Sequence, residues 1–124
     1  MKAVIDSDVL IDYLQGIEAA RAELARYRRP CYSIISWMEL HCGARTEAER
    51  GAVDTLLATM TRIDLTETVA RIAVALRGQL KLKLPDAIVL ASAESEACLL
   101  VTRNTKDFPA GDPRVRFPYE VGKG

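Results

Sequence analysis

Histidine and tryptophan occur once each in this 124-residue chain and cysteine only three times, and each scarcity excludes a class of protein. Cys31, Cys42 and Cys98 form no paired spacing, and His41 is the one histidine that could join them, so a structural zinc site is not expected. Three scattered cysteines make no disulfide framework and suit a reducing cytoplasm. No apolar run approaches the roughly 20 residues of a membrane span. The start, Met1-Lys2 followed by a short apolar stretch ending at Asp6, is too brief for a signal peptide. The expectation is a soluble cytoplasmic protein with no membrane partner. Net charge is also missing: 17 basic residues balance 17 acidic ones, so any polyanion must be attracted locally rather than by a global field. There is no internal repeat, low-complexity tract or linker. What is present is a hydrophobic fraction of 49%, enough for residues 1–124 to bury a core as a single domain without staples.

Ala3-Val4-Ile5 is a short apolar run stopped by Asp6, the pattern of a buried strand emerging at its polar end. Ser7 and Asp8 then cap a helix carrying Val9, Leu10, Ile11 and Leu14, closed near Gly16, with Asp12 facing solvent. Residues 18–28 keep a helical period that Pro30 ends. Residues 31–35 are β-branched and aromatic enough for a second buried strand, and Ser36 followed by Glu39 is a capping-box pattern opening a helix that Gly43 closes. Helices are expected over 47–60 and from a Thr66 cap through Leu76, with the strand Ile63-Asp64-Leu65 between them and a connection over 78–84. Pro85 suits a first helical position, and 87–96 is apolar on most sides, a buried central helix. Residues 98–102 form the clearest strand; a polar loop, 103–107, follows, and 114–117 offers a last strand. Strands alternating with helices specify a three-layer α/β domain with a mainly parallel central sheet of about four or five strands.

In such a sheet, residues just past the strand ends share one edge, where ligands bind. Asp6 follows the first strand, Glu39 the second by a single turn, and Asn104 and Asp107 the strand at 98–102. The helix that begins near Asp86 spans roughly 18 Å over about twelve residues. That nearly matches the roughly 17 Å of the five-residue strand after it. A short turn makes the two antiparallel, which returns Asp86 to the same edge. Clustered carboxylates repel unless a cation or a proton neutralises them. A hard divalent ion is the economical solution: magnesium takes oxygen ligands, keeps several waters and uses one or two carboxylates directly. Such an ion can activate water for in-line attack on a phosphodiester.

Four segments carry a resemblance to a known family: Val4-Ile-Asp-Ser-Asp-Val-Leu-Ile-Asp-Tyr-Leu14, Ser36-Trp-Met-Glu-Leu-His-Cys-Gly-Ala44, Leu84-Pro-Asp-Ala-Ile-Val-Leu-Ala91 and Val101-Thr-Arg-Asn-Thr-Lys-Asp-Phe108. In this order they resemble the PIN-domain nucleases, and more narrowly the VapC-like toxins of type II toxin-antitoxin pairs. The resemblance implies a homodimer, dependence on magnesium or manganese, cleavage of RNA, and a cognate antitoxin whose C-terminal segment enters the acidic pocket. It assigns Asp6, Glu39 and Asp86 as core acids. The fourth position falls to Asp107, with Asn104 a neutral hydrogen-bonding neighbour; some members carry an acid where this chain has Asn104. Ser7 keeps a hydroxyl beside Asp6, and Asp8 adds a charge where asparagine is commoner.

Other readings of the same residues remain. Glu39 can complete a box with Ser36, Asp86 can be a first-turn acid favoured by the helix dipole, and Asp8 can be a cap. Trp37 reads as core and His41 as a half-buried structural side chain. Ser7, Thr102 and Asn104 stand as positioning groups, and Arg103, Lys106, Lys81 and Lys83 flank the pocket as phosphate contacts. Asp6-Ser-Asp8 also resembles the start of haloacid-dehalogenase-like phosphohydrolases, with Asp6 as nucleophile. A PIN module that binds RNA or protein without cutting is the non-enzymatic alternative.

Overall fold

The computed structural model describes residues 1–121. Its elements in chain order are β1 (Lys2–Ile5), α1 (Ser7–Leu14), α2 (Glu18–Ala25), β2 (Arg29–Ser33), α3 (Ile34–Gly43), α4 (Glu47–Ala58), β3 (Thr61–Ile63), α5 (Glu67–Leu80), α6 (Leu84–Ser95), β4 (Leu99–Val101) and β5 (Val115–Arg116). The five strands form one sheet in the order β3-β2-β1-β4-β5, and every neighbouring pair is parallel. The chain builds outward from β1 through β2 to β3, then crosses back to lay β4 and β5 on the other side of β1. The carboxyl ends of β1 and β4 therefore flank a topological switch point, where a crevice opens.

Alternation along the strands assigns the two faces. Ala3 and Ile5 of β1, Tyr32 of β2 and Val101 of β4 join Val9 and Leu10 of α1, Leu24 of α2, Leu40 of α3 and Leu56 of α4 in one buried layer. Val4, Cys31, Ile63 and Leu100 join α5, α6 and Phe108 in the other. Helix α6 is buried continuously from Ala87 to Ala93, as its uniformly apolar sequence requires. The three-layer α/β architecture matches the sequence expectation, and among the described residues no helix is long and apolar enough to cross a membrane.

Several boundaries moved, each for a local reason. Strand β2 ends at Ser33, not at residue 35, because Ser33 is the N-cap of α3 and accepts a bond from the Ile35 amide (3.0 Å). Ile34 and Ile35, β-branched and read as strand, thus open a helix, and Ser36 becomes a buried interior residue. The capping box occurs instead at α4, where Thr46 and Glu49 bond each other's backbone amides (3.1 and 3.2 Å). Helix α2 stops at Ala25, before residue 28, and Pro30 pairs within β2. The third strand lies at Thr61–Ile63, earlier than expected. Helix α5 runs on through Gly78 to Leu80 and closes on Lys81 in the left-handed conformation (φ 56°). Trp37 is not core: it is 37% exposed, against the His41 ring with centroids 4.3 Å apart.

Candidate active site

Asp6 is the residue that turns β1 into α1. Its extended backbone (φ −72°, ψ 159°) makes it the N-cap, its Oδ1 accepts from the Ser7 amide (2.8 Å), and its Oδ2 accepts from the Thr102 hydroxyl (2.7 Å). The cap is therefore Asp6, not Ser7 or Asp8. Burial pushes the Asp6 carboxyl up to about 7, and the charges of Asp8 and Glu39 add to that push against the two hydrogen bonds. Asp8, in the first turn of α1, reaches the strand opposite: its carboxylate accepts from the Arg103 amide (3.1 and 3.3 Å) and lies 3.3 Å from the Thr102 hydroxyl. Burial also raises the Asp8 carboxyl, with Arg103 opposing.

Glu39 enters from α3. The Ser7 hydroxyl donates to its Oε1 (2.5 Å) and stands 2.9 Å from the Ser36 hydroxyl, so α1 and α3 are tied together at the site. Asp86 enters from the first turn of α6. Its carboxyl is raised by burial first, then by the negative charge of Asp107, with Glu39 and Asp8 adding and Lys83 opposing. That pattern places the acids of four separate segments within electrostatic reach of each other. Asp6, Ser7, Asp8, Glu39, Asp86 and Asn104 line one cavity of about 150 Å³, walled on its apolar side by Ile35, Pro85 and Val89.

Asp107 does not line that cavity. Its carboxylate accepts from the Asn104 side-chain amide (2.9 Å), and its own amide donates back to Asn104 Oδ1 (3.1 Å), a reciprocal clasp that shapes the loop after β4. Asn104 thus lines the cavity, and Asp107, whose charge bears on Asp86, stands beside it and holds the Asn104 side chain. Thr102 stands where a positioning group was expected, bonded to Asp6 and accepting from the Asn104 amide (3.0 Å). Lys81, Lys83 and Lys106 are all exposed and none lines the cavity, although the charge of Lys83 reaches Asp86.

Arg103, expected as a phosphate contact, is paired with Asp12. Its guanidinium makes two bonds to Asp12 (2.5 and 3.0 Å), and the Tyr119 hydroxyl donates to the same carboxylate (2.9 Å). Asp12, expected to face solvent, is 4% exposed and joins α1, the loop after β4 and the segment after β5. Sequence reasoning missed this brace and left Asp8 as a cap. The available signal was the i, i+4 spacing of Asp8 and Asp12, which puts both acids on one face of α1. His41 points away from the site, bonded to Trp37 O (2.8 Å) and Asp54 (3.0 Å).

The donor set is entirely hard oxygen, which suits magnesium or manganese and not zinc. Among the described residues, no three His, Cys, Asp or Glu side chains stand at the spacing of a ready-made ion cage. Asp6, Asp8, Glu39 and Asp86 nevertheless line a common cavity, and magnesium typically takes only one or two carboxylates directly.

Comparison with known proteins agrees with this architecture. The model of the PIN domain family matches residues 3–111. Ribonuclease VapC10 of Mycobacterium tuberculosis (strain ATCC 25618 / H37Rv) is 37% identical, the alignment covering 95% of this chain and 93% of that protein. A toxin-antitoxin complex from Klebsiella pneumoniae contains a chain 41% identical, with a TM-score of 0.89 over 96% of this chain and 99% of that one. DNA-bound VapBC from Salmonella typhimurium shares the fold at 23% identity and a TM-score of 0.77, over 94% and 96% of the two chains. With this match along nearly its whole length, laid over a cavity in which acids from the start of α1, from α3 and from α6 meet, the chain belongs to the PIN domain family as a VapC-like member.

Proposed function

We propose that the protein is a divalent-metal-dependent endoribonuclease, the toxin of a toxin-antitoxin pair, which hydrolyses RNA phosphodiesters in the cavity between α1, α3 and α6. The observation that carries this reading is that Asp6, Asp8, Glu39 and Asp86, from three separate segments of the chain, line one small cavity at the switch point of the sheet. Asp6 is buried and Asp8 and Asp86 are half-buried, and so much negative charge out of full solvent is costly without a counter-ion.

Asp6 and Asp86 are the groups placed to hold magnesium or manganese, with Glu39 and Asp8 at the same cavity and Asp107 at its rim. When bound, the ion supplies Lewis-acid stabilisation and lowers the pKa of water. The protein's part is orientation. Thr102 and the Ser7 amide fix both oxygens of Asp6, and the Ser7 hydroxyl fixes one oxygen of Glu39, leaving the other to accept a proton from an attacking water. Ile35 and Val89 keep one wall dry, which strengthens each of these interactions. An acidic cavity of this size also accepts a basic side chain, and an antitoxin C-terminal segment that inserts an arginine there would compete with the cation. A homodimer completes the proposal. The phosphohydrolase reading with Asp6 as nucleophile gives way to the family match.

The test is cleavage of single-stranded RNA with magnesium by wild type, Asp6→Asn and Asp86→Asn. Wild type is expected to cut and to stop on chelation, with each variant at least about a hundred-fold slower, the scale on which metal and acid-base groups act. Equal traces in all three proteins would reject the enzymatic reading.

A further inference from the structure

A second cavity of about 650 Å³ opens on the same side of the molecule, lined by Arg103, Thr105, Phe117, Tyr119, Glu120 and Val121. It lies over the carboxyl ends of β4 and β5, because Arg103 and Thr105 follow β4 and Phe117 follows β5. The acidic cavity lies over the ends of β1 and β4. The two are thus neighbours along one sheet edge, one to two strand spacings apart, roughly 5–10 Å. They also share a loop: Asn104 lines the first, and the residues on either side of it line the second.

The lining restricts what can bind. Arg103 is the one basic side chain in it, and its guanidinium is already matched by Asp12 with two bonds. Glu120 adds an acid. A phosphate would find no uncompensated positive charge here. The walls nevertheless include two aromatic rings and a guanidinium, the surfaces on which flat heteroaromatic groups stack, and the Thr105 hydroxyl adds a polar group beside them. The brace also fixes two of the lining residues. The buried carboxylate of Asp12 holds Arg103 and the Tyr119 hydroxyl at once, so both are set before any ligand arrives.

We infer that this cavity receives an unpaired base of the RNA substrate, on the nucleotide next to the phosphodiester held in the acidic cavity, and that stacking on Tyr119 there contributes to the choice of cleavage site. Single-stranded RNA is read in this way, by splayed bases laid against aromatic and arginine surfaces. The inference rests on the ribonuclease reading above and adds to it a position for sequence discrimination.

The experiment uses the full chain and a short, end-labelled single-stranded RNA with one mapped cut, remade with an abasic residue at each position in turn. Wild type is expected to lose roughly ten-fold in kcat/KM when one base flanking the cut is removed, the order of a single base–aromatic stack. Tyr119→Leu should show a similar loss on intact RNA and no further loss on the abasic RNA. Tyr119→Phe, which keeps the ring and gives up the hydroxyl bond to Asp12, should retain the abasic penalty. That comparison separates the ring from the brace, since both variants lose the hydroxyl. Penalties that multiply independently, a cut indifferent to every base, or a Tyr119→Phe that behaves like Tyr119→Leu would overturn the base pocket while leaving the nuclease standing. A cavity whose variants weaken only antitoxin binding would be a protein-binding site instead. If wild type cleaves no RNA, the reading under Proposed function falls and the base pocket falls with it.

Discussion

At the scale of single residues, the site is governed by short polar side chains that each serve two partners. Ser7 donates to Glu39 and stands beside Ser36, and Thr102 donates to Asp6 while accepting from the Asn104 amide. Removing such a hydroxyl should cost activity more than fold. Ser7→Ala is expected to lower kcat roughly ten-fold, equivalent to about 1.4 kcal/mol of barrier, with a melting temperature close to wild type; steady-state cleavage and calorimetry check the two halves. Asp12 should behave in the opposite way. Asp12→Asn strands Arg103 and weakens the Tyr119 bond, so chemical denaturation should show a loss of roughly 1.5–3 kcal/mol, the range for a hydrogen bond to a charged group. The candidate acids Asp6, Glu39 and Asp86 were legible in the sequence because each follows a strand end or opens a helix whose direction the topology fixes. Asp12 was not, since its partners, Arg103 and Tyr119, lie far along the chain and only the packed fold brings them to α1.

At the scale of elements, caps decide where chemistry stands. The signals that located most helices were apolar period and cap residues, and the error at α3 came from competition between two serines. Ser33 and Ser36 both precede helical sequence, and Ile34-Ile35 between them favours strand by propensity alone. Tertiary packing resolved the contest for Ser33, which moves Glu39 from the third helical position to the sixth and frees it from capping duty. Ser33→Ala should therefore destabilise by about 1 kcal/mol, the usual cost of a lost N-cap. Thr46→Ala should cost a similar amount through the box at α4. Urea midpoints compared with wild type measure both, and an unchanged midpoint for Ser33→Ala would return the cap to Ser36.

At the scale of the whole molecule, the parallel sheet was legible because strands and helices alternate with short connections, and one parallel sheet puts all its strand ends on one edge. What remained hidden was which side chains at that edge face inward: Asn104 and Asp107 are three residues apart in one loop, and their reciprocal bonds decide that Asn104 lines the cavity. Away from the site, Glu23 ties α2 to β5. Burial raises its carboxyl, but the Arg116 bonds (2.7 and 3.0 Å) and the Tyr27 hydroxyl (2.6 Å) more than offset this and hold it below its ordinary value of 4.5. A carboxyl whose value is depressed by folding stabilises above its unfolded value and loses that contribution as pH falls through the folded one. Glu23→Gln should accordingly be less stable than wild type at neutral pH, with the gap closing as the medium is acidified below about 4.5. Thermal denaturation across that range checks the sign.

The central claim is that acids remote in sequence form one divalent-cation site, and manganese titration followed by the paramagnetic resonance of the free ion tests it without any nucleic acid. Wild type should remove manganese from solution saturably, magnesium should compete, and Asp6→Asn and Asp86→Asn, still folded by circular dichroism, should each weaken binding at least about ten-fold. Manganese bound equally by wild type and both variants, or by none of them at millimolar concentration, would contradict the account.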